Sequence, residues 1–379
     1  MRAALLAIVF ALLPLRAVAS AVALPDPETT LDEVRRVADW QLGHIRDYAR
    51  IPQGKNSMRD PRDWQQAVFW VALTDLADRS GDPHYGQAVD AEGRQLGWSL
   101  GGRTYHADDH LIGQAWLWAA SHGGGAAALV PTRERLDAIL KDPPRSTLTF
   151  IDHGDNCTDR WCWADALFMA PPTWYGLSRA TGDPRYAAYA DREWQATANL
   201  LYDRQEHLFF RDSRFFDRRD AKGRKPFWSR GNGWVLAGLA RAIPLMPMDD
   251  PERARMVALY RSMAERIISL QKGDGTWPPS LLETGPTPPE SSGTGLFVAG
   301  LAWGVKAGLL YRRTAMPAIA KGWEALRAAV HPDGMVGWVQ QVSDRPDEVH
   351  FDDTQFYGSG AFVLAGCAIY DLTSKGGVH

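Results

Sequence analysis

The sequence predicts an all-α protein, a closed (α/α)6 barrel of helical hairpins, and three observations predict it. Roughly a dozen segments carry apolar residues at helical spacing. A glycine–aspartate–proline turn recurs between them. Sustained period-two alternation is missing, apart from short candidate strands at 207–210 and 335–339. About twelve helices with an echoing turn and polar residues in the intervening loops fit a closed ring better than an open array. An open array needs polar end caps and a shorter, cleaner repeat.

The helical segments run in order. The first spans 31–48 with Thr30 as N-cap, and 62–78 follows with Trp64, Val68, Trp70 and Leu73 on it. Next come 84–96, 109–121, 133–140, 161–180, 184–201, 233–245 and 251–270, then 293–310, 317–330 and 357–372. The turn Ser80-Gly81-Asp82-Pro83-His84-Tyr85 resembles Thr181-Gly182-Asp183-Pro184-Arg185-Tyr186. In each, a helix stops at glycine and proline occupies the first position of the next. Asp249-Asp250-Pro251 and Met316-Pro317 are weaker versions. No linker-like stretch divides 21–379, which reads as a single domain.

Residues 1–20 read as a signal peptide. Arg2 gives a positive start, 5–15 is apolar, and small residues fill 17–23. The run is too short for a permanent span, so the expected location is periplasmic or secreted, with no membrane contact after cleavage. A formal charge of −3 over 379 residues provides no field that would draw nucleic acid. Of three cysteines, Cys157 and Cys162 are close enough in sequence to pair, leaving Cys367 alone. Their spacing is not that of a zinc site, and no metal is expected. Tryptophan is abundant, with 16 copies. Some belong to the core and others suit the walls of a sugar-sized pocket.

Four segments gather residues that can do chemistry. Asp108-Asp109-His110 sits at a helix start, where acids serve as caps or project one carboxylate into a pocket. Asp165 follows Trp161-Cys162-Trp163-Ala164 and precedes Ala166-Leu167-Phe168-Met169-Ala170. A carboxyl in such apolar surroundings has its pKa raised, as a general acid near neutral pH requires. The run Trp228-Ser229-Arg230-Gly231-Asn232-Gly233-Trp234 offers a forked cation and two aromatic faces. Capping by Asn232 is compatible with that. Glu290-Ser291-Ser292-Gly293-Thr294 opens another helix and reads first as a cap.

Taken together and in this order, these segments resemble glycoside hydrolase family 105, the unsaturated rhamnogalacturonyl hydrolases, with family 88 unsaturated glucuronyl hydrolases as cousins. The resemblance runs from about residue 31 to the C-terminus. It implies a pocket at one end of the barrel, no cofactor, and an oligosaccharide substrate ending in a 4,5-unsaturated uronic acid. It implies that Asp165 protonates C4 of that vinyl ether and then helps a water add at C5, with Asp109 as supporting acid. By the same resemblance Trp163 and Trp234 stack on the sugar ring and Arg230 holds polar groups near it, with Trp228, Asn232, His110 and Arg211 as further candidate substrate contacts. Arg211 stands where many members carry a histidine, which leaves the source polysaccharide open. The competing readings are a polysaccharide lyase or sugar epimerase using His110, His153 or Tyr357, and a non-catalytic sugar-binding protein.

Overall fold

The computed structural model describes residues 23–51, 59–150 and 157–374. The expected signal peptide at 1–20 and His153 lie outside the described residues. The architecture is a ring of six helical hairpins, each with an inner and an outer helix joined by a short turn, save the one that joins the ends of the chain. The chain opens with the outer helix α1 (Pro27–Gly43). α2 (Trp64–Ser80) pairs with α3 (Pro83–Gln95) and α5 (Gly113–Ala119) with α6 (Gly125–Lys141), the short α4 (Ala107–His110) lying between α3 and α5. α8 (Pro171–Thr181), preceded by the short α7 (Ala166–Met169), pairs with α9 (Pro184–Leu201). α10 (Ser229–Ala242) pairs with α11 (Pro251–Ser269), α12 (Ser291–Lys306) with α13 (Arg312–Ala328), and the last helix, α14 (Phe356–Thr373), with α1. Inner helices touch in the order α2, α5, α8, α10, α12, α14, and α14 packs back on α2, so the ring closes.

Composition explains which helices lie inside. α12 and α14 are apolar all round, and α14 carries Asp371 as its sole charge. A helix with no polar face must be covered on every side. Phe356, Phe362, Leu364 and Ile369 are buried on α14, and each such burial contributes on the order of 2 kcal/mol. Outer helices such as α9 keep one apolar stripe, with Tyr186, Tyr189, Trp194 and Leu201 turned inward.

The turn repeat is structural. Asp82, Asp183 and Asp250 accept backbone N–H bonds as N-caps of α3, α9 and α11, each with proline next. Asp26 does the same for α1, displacing the expected cap Thr30 into the helix. Gly81 and Gly182 close the preceding helices with φ of 67° and 72°. Met316-Pro317 is not such a junction: α13 starts five residues before Pro317, which lies inside it. These turns are short and sit at one end of the ring. The longer connections, around 96–106, 142–150 with 157–165, 202–228, 270–290 and 329–355, gather at the end where inner helices begin.

Two expected helices are broken. The 161–180 segment is irregular until Asp165, then helical in α7, and restarts at Pro171 because consecutive prolines cannot donate to the preceding turn. The 109–121 segment divides into α4, α5 and a π-helical stretch at Ala120–Gly124. Residues 207–210 contribute β2 (Leu208–Phe209), which pairs with β1 (Tyr202–Asp203). The 335–339 candidate forms an isolated bridge, Val330 with Val336.

Candidate active site

The N-terminal ends of the inner helices bring the four chemistry-bearing segments to one end of the barrel. Asp165 immediately precedes α7, rather than lying inside a long helix. The segment before it is pinned when the Ala164 N–H donates to the Arg211 carbonyl at 2.8 Å. Asp165 is 8% exposed, and its Oδ2 has no hydrogen-bond partner among the described residues. The nearest cation is Arg211, with Nε 3.5 Å from Oδ2. Burial raises the Asp165 pKa, prevailing over the opposing charges of Arg211 and Arg230.

Arg211 is held by Asp212, with Nη1 donating to Oδ2 at 2.8 Å. Arg214 makes a forked pair with the same carboxylate at 2.9 and 2.8 Å and reaches Asp344 at 2.9 Å. Burial alone would raise Asp212, but the bonds from Arg214 and Arg211 hold it below the ordinary carboxylate range. A lattice of fixed charges therefore stands beside a buried carboxyl whose Oδ2 accepts no hydrogen bond among the described residues.

The two acids at α4 have different partners. Asp109 is turned into the protein, where its Oδ2 accepts the Arg103 N–H at 2.6 Å. Its Oδ1 accepts from Arg103 Nε at 3.1 Å and Nη2 at 2.5 Å. Gly101 makes room for it, since an added Cβ would lie 2.5 Å from the Asp109 Cγ. Asp108 is the member whose titration feels Asp165. Burial, then the charges of Asp109 and Asp165, push its pKa up to about 8 against the pull of Arg103. His106 caps α4, its Nδ1 accepting the Asp108 N–H at 3.3 Å. The His106 ring packs on Trp163 at 4.9 Å between centroids. Burial and the Arg103 charge keep His106 neutral.

Several expected sugar contacts have interior employment instead. Arg230 is fully buried, donating to the carbonyls of Gln340 at 2.6 Å and Gln341 at 3.0 Å. Its guanidinium lies between the rings of Trp228 and Tyr357, at 4.6 and 4.8 Å. Trp228 is itself buried and donates to the Gln340 side chain at 3.0 Å. Asn232 pairs with the edge of β2, accepting from Phe209 N at 2.8 Å and donating to Phe209 O at 3.0 Å. It also closes the first turn of α10 by donating to Trp228 O at 3.0 Å. Trp234 is wedged between Phe168 and Trp64 with no exposed surface. His110 sits between Thr104 O at 3.0 Å and Trp174 Nε1 at 3.4 Å, its pKa lowered to about 4 by burial. Of their polar side-chain atoms, Arg230 Nε and Trp234 Nε1 have no hydrogen-bond partner among the described residues.

Sequence reasoning missed Arg103, His106 and Trp64. Trp64 is half-buried and stacks on Tyr357 at 5.0 Å, an open aromatic face beside the site. Its place at the start of a predicted inner helix, level with the other segments, was the available signal. Glu290 matches its expected role: it caps α12, accepting from Ser292 N at 3.0 Å and Gly293 N at 2.7 Å.

Comparison with known proteins accords with this geometry. Residues 33–373 match the family model described as Glycosyl Hydrolase Family 88. An unsaturated 3S-rhamnoglycuronyl hydrolase from an Alteromonas species (strain LOR) is 40% identical over 340 residues, 86% of this chain and 82% of that protein. A glycosyl hydrolase family 88 structure from Bacteroides vulgatus superposes with a TM-score of 0.78 at 25% identity, covering 91% of this chain and 99% of its own. A structure described as the polysaccharide lyase BACCELL_00875 shares the fold equally, with a TM-score of 0.78 at 24% identity over 91% of this chain and 97% of its own. The family match spans nearly the whole ring and includes every segment that builds the site, so the chain belongs to glycosyl hydrolase family 88 and is a glycoside hydrolase.

Proposed function

We propose that the protein removes a terminal 4,5-unsaturated uronic acid from lyase-generated oligosaccharides, with Asp165 as proton donor to C4. The observation that carries this reading is a buried carboxyl with raised pKa whose Oδ2 accepts no hydrogen bond, beside an Arg211 that is tied to Asp212. Protonation at C4 places positive character on C5, where the ring oxygen shares it. The same carboxylate then takes a proton from a water whose oxygen bonds to C5, giving a hemiketal. Ring opening leaves a ketone at C5 and a hemiacetal at C1, which expels the rest of the oligosaccharide as an alcohol. One carboxyl acting twice needs no second carboxylate at a fixed distance, so the separation rules for ordinary glycosidases do not apply. Asp108 is the second carboxyl to face the reacting ring, and Asp109 supports it from behind through Arg103.

The Alteromonas relative's name supports an aglycone that is a 3-sulfated rhamnose. Arg103, about half exposed beside Asp109, and Arg211 offer the guanidinium forks that suit sulfate or carboxylate. Export is supported by the disulfide between Cys157 and Cys162, since such bonds persist in oxidising compartments.

Of the three positions a lyase could use as a general base, His153 lies outside the described residues and Tyr357 and His110 lie within them. The Tyr357 hydroxyl donates to Gln340 O at 2.7 Å, and burial pushes its pKa upward, away from a base's range. Both His110 nitrogens are engaged. The hydrolase reading is tested by following loss of the C4=C5 ultraviolet absorbance on unsaturated disaccharides from ulvan, rhamnogalacturonan and glucuronan digests. Turnover of none by folded protein sinks it.

A further inference from the structure

The acid's helix is held by the inner helices on either side of it, α5 and α10. α7 has four residues and is followed by Pro171 and Pro172. In an α-helix the Leu167 and Phe168 carbonyls would accept from residues 171 and 172, and proline has no N–H to give. A buried carbonyl left without a donor is costly. The Leu167 carbonyl is pressed against α10 at Gly238, where an added Cβ would lie 2.3 Å from its oxygen. The Phe168 carbonyl receives a side chain instead: Gln114 Nε2 donates to it at 3.0 Å and reaches Met169 O at 3.4 Å.

Gln114 is itself oriented. Its Oε1 accepts from Arg241 Nε at 2.8 Å, and Arg241 Nη1 donates to Asp75 Oδ2 at 2.9 Å. Arginine only donates, so it fixes the amide with oxygen toward α10 and the NH2 group toward α7. Asp75, Arg241 and Gln114 line a cavity of about 630 Å3 among the inner helices.

We propose that Gln114 is a positioning residue for the catalytic acid, and that Arg241 and Asp75 set it. The network replaces the donor that Pro172 lacks, which fixes α7 and hence the depth at which Asp165 sits. This rests on the assignment of Asp165 as proton donor.

The test compares wild type with Gln114→Met, Arg241→Met, Arg241→Lys and Arg179→Ser on an unsaturated ulvan disaccharide. Gln114→Met and Arg241→Met are expected to lower kcat by about tenfold or more, since misplacing a reacting group by 1 Å costs on the order of 100-fold. KM is expected to change little. The alkaline limb of the kcat profile should move to lower pH, because a loosened α7 admits water to Asp165 and relieves its desolvation. Arg241→Lys retains a donor toward Gln114 and should recover most of the loss. Arg179→Ser, in the same cavity, should behave as wild type. A folded Gln114→Met enzyme with the wild-type kcat and pH profile overturns the proposal. Asp165 side-chain carboxyl titration by 13C NMR, in wild type and Gln114→Met, needs no turnover. Identical titrations also overturn the positioning role, while an inactive wild type with a shifted titration indicts only the assigned reaction.

Discussion

Replacing Asp108 by asparagine removes an ionisable group that the fold holds against its preference. In the unfolded chain this carboxyl titrates near 3.8, and in the folded protein burial and neighbouring acids push it to about 8. A raised carboxyl pKa leaves stability intact below about 3.8. Stability then falls as pH climbs, because the unfolded state releases a proton that the folded state keeps, and it levels above about 8. Between 3.8 and 7 the difference amounts to roughly 4 kcal/mol at 1.36 kcal/mol per unit, an upper bound for a side chain that is 15% exposed. Asparagine keeps the shape, and Asp108 Oδ2 loses only long contacts to Arg103 at 3.9 Å and His106 at 3.7 Å. Unfolding entropy for 379 residues is about 0.8 kcal/mol/K, so the variant should melt up to about 5 °C higher at pH 7 and show no difference near pH 3.5. Differential scanning calorimetry from pH 3.5 to 9 measures this. A variant that melts at or below wild type at pH 7 refutes the argument that Asp108 is protonated in the fold. The same substitution should slow turnover without abolishing it, because Asp165 retains its own proton.

Arg230→Met should cost about 4 kcal/mol and lower Tm by about 5 °C, since the Gln340 and Gln341 carbonyls lose charged donors inside the protein. It should also move the alkaline limb of the kcat profile to higher pH, because a charge favouring ionised Asp165 is gone. Wild-type melting and pH behaviour in calorimetry and kinetics would remove Arg230 from that role. Cys157→Ser opens a loop of sequence separation 5 and should cost about 2 kcal/mol by chain entropy. Its melting temperature should match that of reduced wild type, and a separation between the two would point to another role for the thiol.

The ring was legible because its signals are local. Aspartate–proline turns repeat at 82–83, 183–184 and 250–251, and helices such as 356–373 are apolar all round. Helix breaks were not legible, because apolar spacing continues through Ile112 and Ala170 while the ladder stops. Asp165 stood out because its apolar neighbours lie beside it in sequence. The tie between Asp109 and Arg103, six residues before it, was hidden, since it depends on the path of the loop between them. Arg230 and Asn232 look like ligands until their partners appear, at Gln340 110 residues away and Phe209 23 residues away. Glycine-rich motifs announce close approach; what approaches is set by tertiary structure.

The central claim is that Asp165 delivers a proton to an unsaturated uronic acid. The most direct measurement runs the reaction in D2O with wild type and Asp165→Asn, following C4=C5 absorbance and analysing the released keto-uronic acid by NMR. Wild type should lose the absorbance with one deuterium added at C4, and a folded Asp165→Asn that still binds the disaccharide should show no loss. Turnover by Asp165→Asn at the wild-type rate, or release of the uronic acid with its double bond intact, would contradict it.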